Sequence, residues 1–151
     1  MTSELFTLTH LLEPKEVGEE FRTWPWHVTV VPPVDADYDS GLHLERVVEP
    51  FSPIPIEMGG IDRLTPDIDL TIRRVDVPEG FNEVRRLLTS RISQCGIKMD
   101  ERLASIEPYV SAVRGELPPA GERFSIECIS VVVCRRGICT VIDQLPLRGT
   151  K

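Results

Sequence analysis

Two short stretches, WPWHVTVVPP at residues 24–33 and EPYVSAVR at residues 107–114, decide how this chain is read. Both are rich in β-branched residues and both adjoin proline, so each reads as a short strand. Alternate residues of a strand point to the same face. In HVTV this puts His27 and Thr29 together, with Val28 and Val30 behind them. In YVSA it puts Tyr109 and Ser111 together, with Val110 and Ala112 behind. Each strand thus offers one ring that can hold a proton and one hydroxyl to a common side. If the strands lie side by side about a pseudo-twofold axis, the four groups converge on one groove. The hydroxyls can then donate to the non-bridging oxygens of a phosphate, and a ring on each flank can serve the entering and leaving oxygens.

Working outward, residues 4–12 read as a first strand and 13–24 as a loop or short helical turn. The strand at 26–31 is expected to stop at Pro32-Pro33, because proline cannot donate to a ladder. The acidic segment 35–40 can cap a helix that carries Leu44, Val47, Val48 and Phe51 on one face, closed by Pro53 and Pro55. IPIEMGGIDRL (54–64) reads as a strand with a glycine bend. DIDLTIRRVDV (67–77) alternates Ile68, Leu70 and Ile72 on one side, as a half-buried strand does. Val84, Leu87, Leu88 and Ile92 have helical spacing, with Gly96 as the stop. A charged connection, 97–107, leads to the strand at 108–113. FSIECISVVVC (124–134) and GICTVIDQL (137–145) read as two strands of a hairpin turning at Arg135-Arg136-Gly137. The order is β, β, α, β, β, α, β, β, β, with a weak echo of strand, proline-flanked short strand and helix in each half.

Composition narrows the function classes. A chain of 151 residues is long enough for one domain with a proper core. A net charge of −7 argues against wrapping long duplex nucleic acid, which needs a broad basic surface. It leaves room for a nucleotide or one phosphorylated RNA end. The pairs Arg73-Arg74, Arg85-Arg86 and Arg135-Arg136 either feed such a pocket or are solvated surface charges. No run approaches the ~18 apolar residues of a membrane span, and the first residues lack the basic and apolar regions of a signal peptide. Cys95, Cys128, Cys134 and Cys139 form no CxxC pair and read as reduced thiols of a cytoplasmic protein. They show no ligand spacing with His10, His27 and His43, so no metal and no cofactor is expected. His10 and His43 read as structural or exposed, Trp26 as a core residue facing away from His27, and Glu127 as a solvent-facing strand residue. Trp24 and Trp26 could also stack on a nucleobase.

WPWHVTVVPPV resembles the first HxTx motif of the 2H phosphoesterases, the family of 2′-5′ RNA ligase-like proteins and cyclic nucleotide phosphodiesterases. PYVSAVR stands where that family has a Pro-His-x-Thr-x-x-Arg segment, and the intervening helix and strand order, the closing hairpin and the LPL end are also similar to it. The resemblance covers about residues 4 to 148. It implies an α+β fold in which two pseudo-symmetric lobes of antiparallel sheet form a central groove with helices packed outside, one domain over 1–151. It implies metal-free chemistry at a 2′,3′-cyclic phosphate or 2′-5′ linkage of a nucleotide or RNA end, and an RNA-processing role; a monomer is expected. Carried over, His27 stands at the first catalytic histidine, Thr29 and Ser111 at the phosphate-binding hydroxyls, and Arg114 at the arginine after the second motif. Tyr109 stands at the second histidine, and this is the departure. A tyrosine, with a reference pKa of ~10, is a poor base at neutral pH. An impaired or specialised phosphodiesterase is therefore expected, with His27 as base and Tyr109 as donor. The alternatives are a non-catalytic relative that binds a phosphorylated nucleotide or RNA end, and a domain with a relic groove.

Overall fold

The structure, a computed structural model, describes residues 4–65, 68–99 and 106–150. Among the described residues nine strands form two antiparallel sheets, accompanied by two helices. β1 (Leu5–Leu11), β2 (Glu20–Phe21), β3 (His27–Asp35), β8 (Cys128–Arg135) and β9 (Ile138–Pro146) make a five-stranded sheet in the order β2-β9-β8-β1-β3. β4 (Ile54–Thr65), β5 (Ile68–Asp76), β6 (Tyr109–Ser111) and β7 (Arg123–Ile126) make a four-stranded sheet in the order β6-β5-β4-β7. The result is the bilobal α+β arrangement expected from the sequence. The two motif strands are both edge strands, β3 of one sheet and β6 of the other, and they lie against each other.

The core explains why. Phe6, Leu8, Val28 and Val30 of the first sheet, Ile56, Met58 and Val110 of the second, and Phe81, Val84, Leu88 and Ile92 of α2 (Glu79–Gln94) share one buried cluster. Val28, Val30 and Val110 have no more than 1% of their surface exposed. Burial of these valines turns the alternate residues His27, Thr29, Tyr109 and Ser111 the other way, where each is half-buried. A second cluster of Leu11, Val132, Cys139 and Val141 lies apart from the first and is packed by Phe21, Trp24 and Cys134.

The glycine bend of β4 appears as a register shift between Met58 and Ile61. A Cβ on Gly59 would meet the Arg74 carbonyl at 3.1 Å, so only glycine lets β4 and β5 approach so closely there. The first helix is shorter than the apolar spacing suggests. A 3₁₀ turn, Ser40–Leu42, capped by Asp39, precedes α1 (Leu44–Val48), and His43 between them has φ 52°.

Four expectations need correction. β3 does not stop at Pro32-Pro33 but runs to Asp35. Among the described residues its only ladder partner is β1, and near these prolines the ladder is already irregular, so the missing N–H groups cost no pairing. The 124–134 run is not one strand. It breaks at exposed Glu127, leaving β7 in the second sheet and β8 in the first. Leu70 is 38% exposed, while Ile72 is fully buried. The cysteines are not all thiols. Cys134 and Cys139 form a disulfide across the β8–β9 hairpin, their Cα atoms 4.1 Å apart at directly paired positions. The two-residue turn Arg136-Gly137, with φ 54° and 79°, fixes that register. The connection at 97–107 lies partly outside the described residues, and no helix among those described is long and apolar enough to cross a membrane.

A thiol titration of the protein denatured without reductant should therefore count the two free cysteines, Cys95 and Cys128, and all four after reduction. Four thiols before reduction would show that the hairpin carries no bond.

Candidate active site

Thr29 and Tyr109 face one cleft, a small one of about 110 Å³ that they line together with Pro32, Pro33, Arg85 and Pro108. His27 and Ser111 share the outward side of the same two strands, but neither lines this cleft. Arg114 does not reach it either. It sits at φ 52° in the tight turn closed by Val113 and Glu116, and it lines a second, larger cleft with Trp24 and Trp26.

The sequence reading missed the residue that joins the two strands. The Arg85 guanidinium donates from Nε to the Val30 carbonyl, from Nη2 to the Thr29 carbonyl and from Nη1 to the Ile106 carbonyl, each at 2.8 Å. Consecutive carbonyls of a regular strand point to opposite sides. Those of Thr29 and Val30 both reach Arg85 because β3 carries a bulge here: Leu8 pairs with Val31 and Thr9 with Thr29, leaving Val30 extra. One side chain of α2 thus holds the first motif strand and the approach to the second. Burial lowers the Arg85 pKa, and no carboxylate is paired with it among the described residues. Its positive charge lies in the cleft wall, which the Glu107 carboxylate also lines. A signal for it existed: Phe81, Val84, Arg85, Leu88 and Ile92 all fall on one helical stripe, and a charge on an apolar stripe must find buried partners. The other members of the arginine pairs have different fates. Arg73 is buried and donates to the Gly59 carbonyl, Arg74 pairs with Asp62 at 3.1 Å, and Arg135 pairs with Glu4.

The His27 ring is held on two sides. Its Nδ1 lies 2.8 Å from the Pro25 carbonyl. A carbonyl only accepts, so Nδ1 carries the proton in the neutral ring and Nε2 is left as a free acceptor. Trp24 packs against it, tilted by 37°, with ring centroids 4.4 Å apart. Burial lowers the His27 pKa below 6.5, against the Pro25 hydrogen bond, so the ring is neutral at pH 7. Burial raises the Tyr109 pKa, against the nearby Arg74 charge, so the phenol keeps its proton. The hydroxyls of Thr29, Ser111 and Tyr109 make no hydrogen bond among the described residues and are free to meet a ligand. The Thr29–Tyr109 cleft therefore offers a protonated phenol, a hydroxyl donor and a half-buried cation, while neutral His27 and the Ser111 hydroxyl face the same side of the two strands outside it. No group of three or more His, Cys, Asp or Glu side chains that could hold a metal ion gathers among the described residues.

The remaining polar residues are structural. Trp26 packs on the main core and donates its indole N–H to the Glu116 carbonyl at 2.9 Å, tying the start of β3 to the turn after β6. His43 lies 3.5 Å from Glu45. His10 is mostly buried, and burial lowers its pKa to about 4.

With this geometry the class of fold is defined: it is the bilobal α+β fold also seen in E. coli LigT. Among solved structures, E. coli LigT in complex with 3′-AMP superposes with a TM-score of 0.66 at 14% identity, covering 96% of this chain and 98% of that one. A crystal structure described as a phosphoesterase gives 0.68 at 12% identity, over 95% and 98%. The Thermus thermophilus protein TT0787 gives 0.62 at 14% identity over the full length of both. No protein-family model matches the sequence, and no curated protein matches it.

Two outcomes follow. Arg85→Met leaves three carbonyls without their donor and should lower stability by about 2–3 kcal/mol in a denaturant melt, with Arg85→Lys only partly restoring it. His10 has a folded pKa below its unfolded one, so it contributes stability above pH 6.5 that is lost as pH falls toward about 4. Replacing it with Gln should flatten that part of the stability–pH curve.

Proposed function

We propose that this protein is a 2H-type phosphoesterase acting on a 2′,3′-cyclic phosphate or 2′-5′ phosphodiester of a nucleotide or RNA end, with activity reduced by Tyr109. One observation carries the reading: two edge strands, each turning a ring and a hydroxyl outward from a valine-packed back, lie together in a LigT-like fold. Thr29 and Ser111 donate to the non-bridging phosphate oxygens, and Arg85 and Arg114 supply positive charge from the two clefts. His27, neutral and with Nε2 free, takes the proton of the attacking hydroxyl. Tyr109 gives a hydrogen bond or proton to the departing oxygen. E. coli LigT has been crystallised with phosphate, 3′-AMP and NADP+, which supports a phosphorylated nucleotide as the ligand. The reading further takes the protein to be a monomer that works in RNA processing in the cytoplasm and needs no metal.

A second reading, binding without turnover, is favoured by the same tyrosine. A phenol whose pKa is pushed above 10 cannot serve as the second base at neutral pH. The variants separate the two readings. Hydrolysis of 2′,3′-cyclic nucleotides should be measurable and should fall by ~10²–10⁴ in His27→Ala. Tyr109→His should raise it by a comparable factor. A wild-type rate indistinguishable from His27→Ala, with a large gain in Tyr109→His, would select the binding reading. Because the His27 pKa is lowered, wild-type activity should hold at pH 7 and decline only below pH 6.5 as the ring gains its proton.

A further inference from the structure

The two motif strands have unlike neighbours. In an antiparallel ladder, directly opposed residues share a face, with Cβ atoms ~4.5–5.5 Å apart. Opposite His27 stands Leu11 of β1, which is buried and apolar. Opposite Tyr109 stands Arg74 of β5. Arg74 therefore lies on the cleft-facing side of the second sheet, beside the phenol. Its guanidinium is anchored. Nε donates to Asp62 Oδ2 at 3.1 Å and Nη2 to the Arg63 carbonyl at 3.3 Å, both on β4. Asp62 is fixed in turn, because its Oδ1 accepts from the Arg63 backbone N–H at 2.8 Å. A phenol, a guanidinium and a carboxylate thus form a row across β6, β5 and β4. The first sheet has an aliphatic side chain at the matching place.

We propose that Arg74 is a positioning residue for Tyr109: a cation anchored by Asp62 and set directly across the ladder from the phenol, it fits the second motif strand to the donor's role. The inference rests on the phosphoesterase reading above and adds the group through which Tyr109 works. A base gains from an apolar neighbour that leaves it neutral, and a proton donor gains from a cation that steadies the oxyanion it becomes. Leu11 and Arg74 supply one of each. Charged groups approach the phenol from three elements: Arg74 on β5, Arg85 on α2 and Glu107 in the segment before β6. β3 faces it with uncharged Thr29, Pro32 and Pro33. Of the three charges it is that of Arg74 that acts on the phenol, opposing the effect of burial.

The chain has two tyrosines, so in a Tyr38→Phe background the tyrosinate absorbance reports Tyr109 alone. Arg74→Gln removes the charge and should raise the Tyr109 midpoint by about half a pH unit or more. Arg74→Lys should hold it near the starting value. Asp62→Asn, which frees the guanidinium but keeps its charge, should move it less than Arg74→Gln does. On 2′,3′-cyclic nucleotides, Arg74→Gln should lower kcat about tenfold with KM within about threefold. The same substitution on a Tyr109→Phe background should lower kcat no further, because Arg74 acts through the phenol. A midpoint unmoved by Arg74→Gln would overturn the inference. So would an equal loss of kcat in the Tyr109→Phe background, which is what a mere staple between β4 and β5 gives. A wild type without hydrolysis, whose Tyr109 midpoint still follows Arg74, would instead overturn the phosphoesterase reading and leave the coupling of the two residues standing.

Discussion

The site depends on one half-buried cation. Arg85 places a guanidinium where water cannot fully solvate it, with no carboxylate paired to it among the described residues, and such a charge costs several kcal/mol to bury alone. Three backbone carbonyls at 2.8 Å replace the lost water. They belong to the first motif strand and to the segment that enters the second, so satisfying Arg85 and bringing the two lobes into register are the same event. Thr29 and Tyr109 come to share a cleft as a result, and the charge that enforces this lies in the wall of that cleft.

Around this pin the two halves are alike in backbone and unlike in chemistry. Each motif strand has its valines in the core and its ring and hydroxyl outward. Yet burial moves the pKa values of the two rings in opposite directions. It favours the neutral form of both, which makes an imidazole a free acceptor and a phenol a fixed donor. The surroundings are unequal too: aromatic and roomy past His27, proline-lined and narrow past Tyr109. A fold with near-twofold backbone symmetry thus holds a site with two distinct ends.

Much of this was legible in the chain itself, because the alternation of HVTV and YVSA is a local property and the valine faces leave little choice. The hydroxyls, both rings and their direction follow from period two alone, and the helix at 79–94 from its apolar stripe. What was not legible depends on distant pairing. Whether Pro32-Pro33 ends a strand depends on whether that strand has a second neighbour. Whether 124–134 is one strand depends on which sheet each part joins. The Cys134–Cys139 bond needs the exact hairpin register set by Arg136-Gly137. Arg85 looked like half of a surface pair, although its place on the apolar stripe marked it as one that must find partners inside.

The break at Glu127 has a wider consequence. β7 and β8 are consecutive in the chain yet close different sheets, and β1 is left with β3 alone until β8 is added on its other side. Neither half of the chain can therefore finish a sheet of its own. On a ribosome, β1 would wait, with its second edge open, until more than a hundred further residues had emerged; such long-range closure is slow and leaves strand edges exposed meanwhile. For this small protein the four-stranded sheet is encoded by the contiguous residues 54–126, while the five-stranded sheet, and the groove with it, is completed last, once β8 and β9 have emerged.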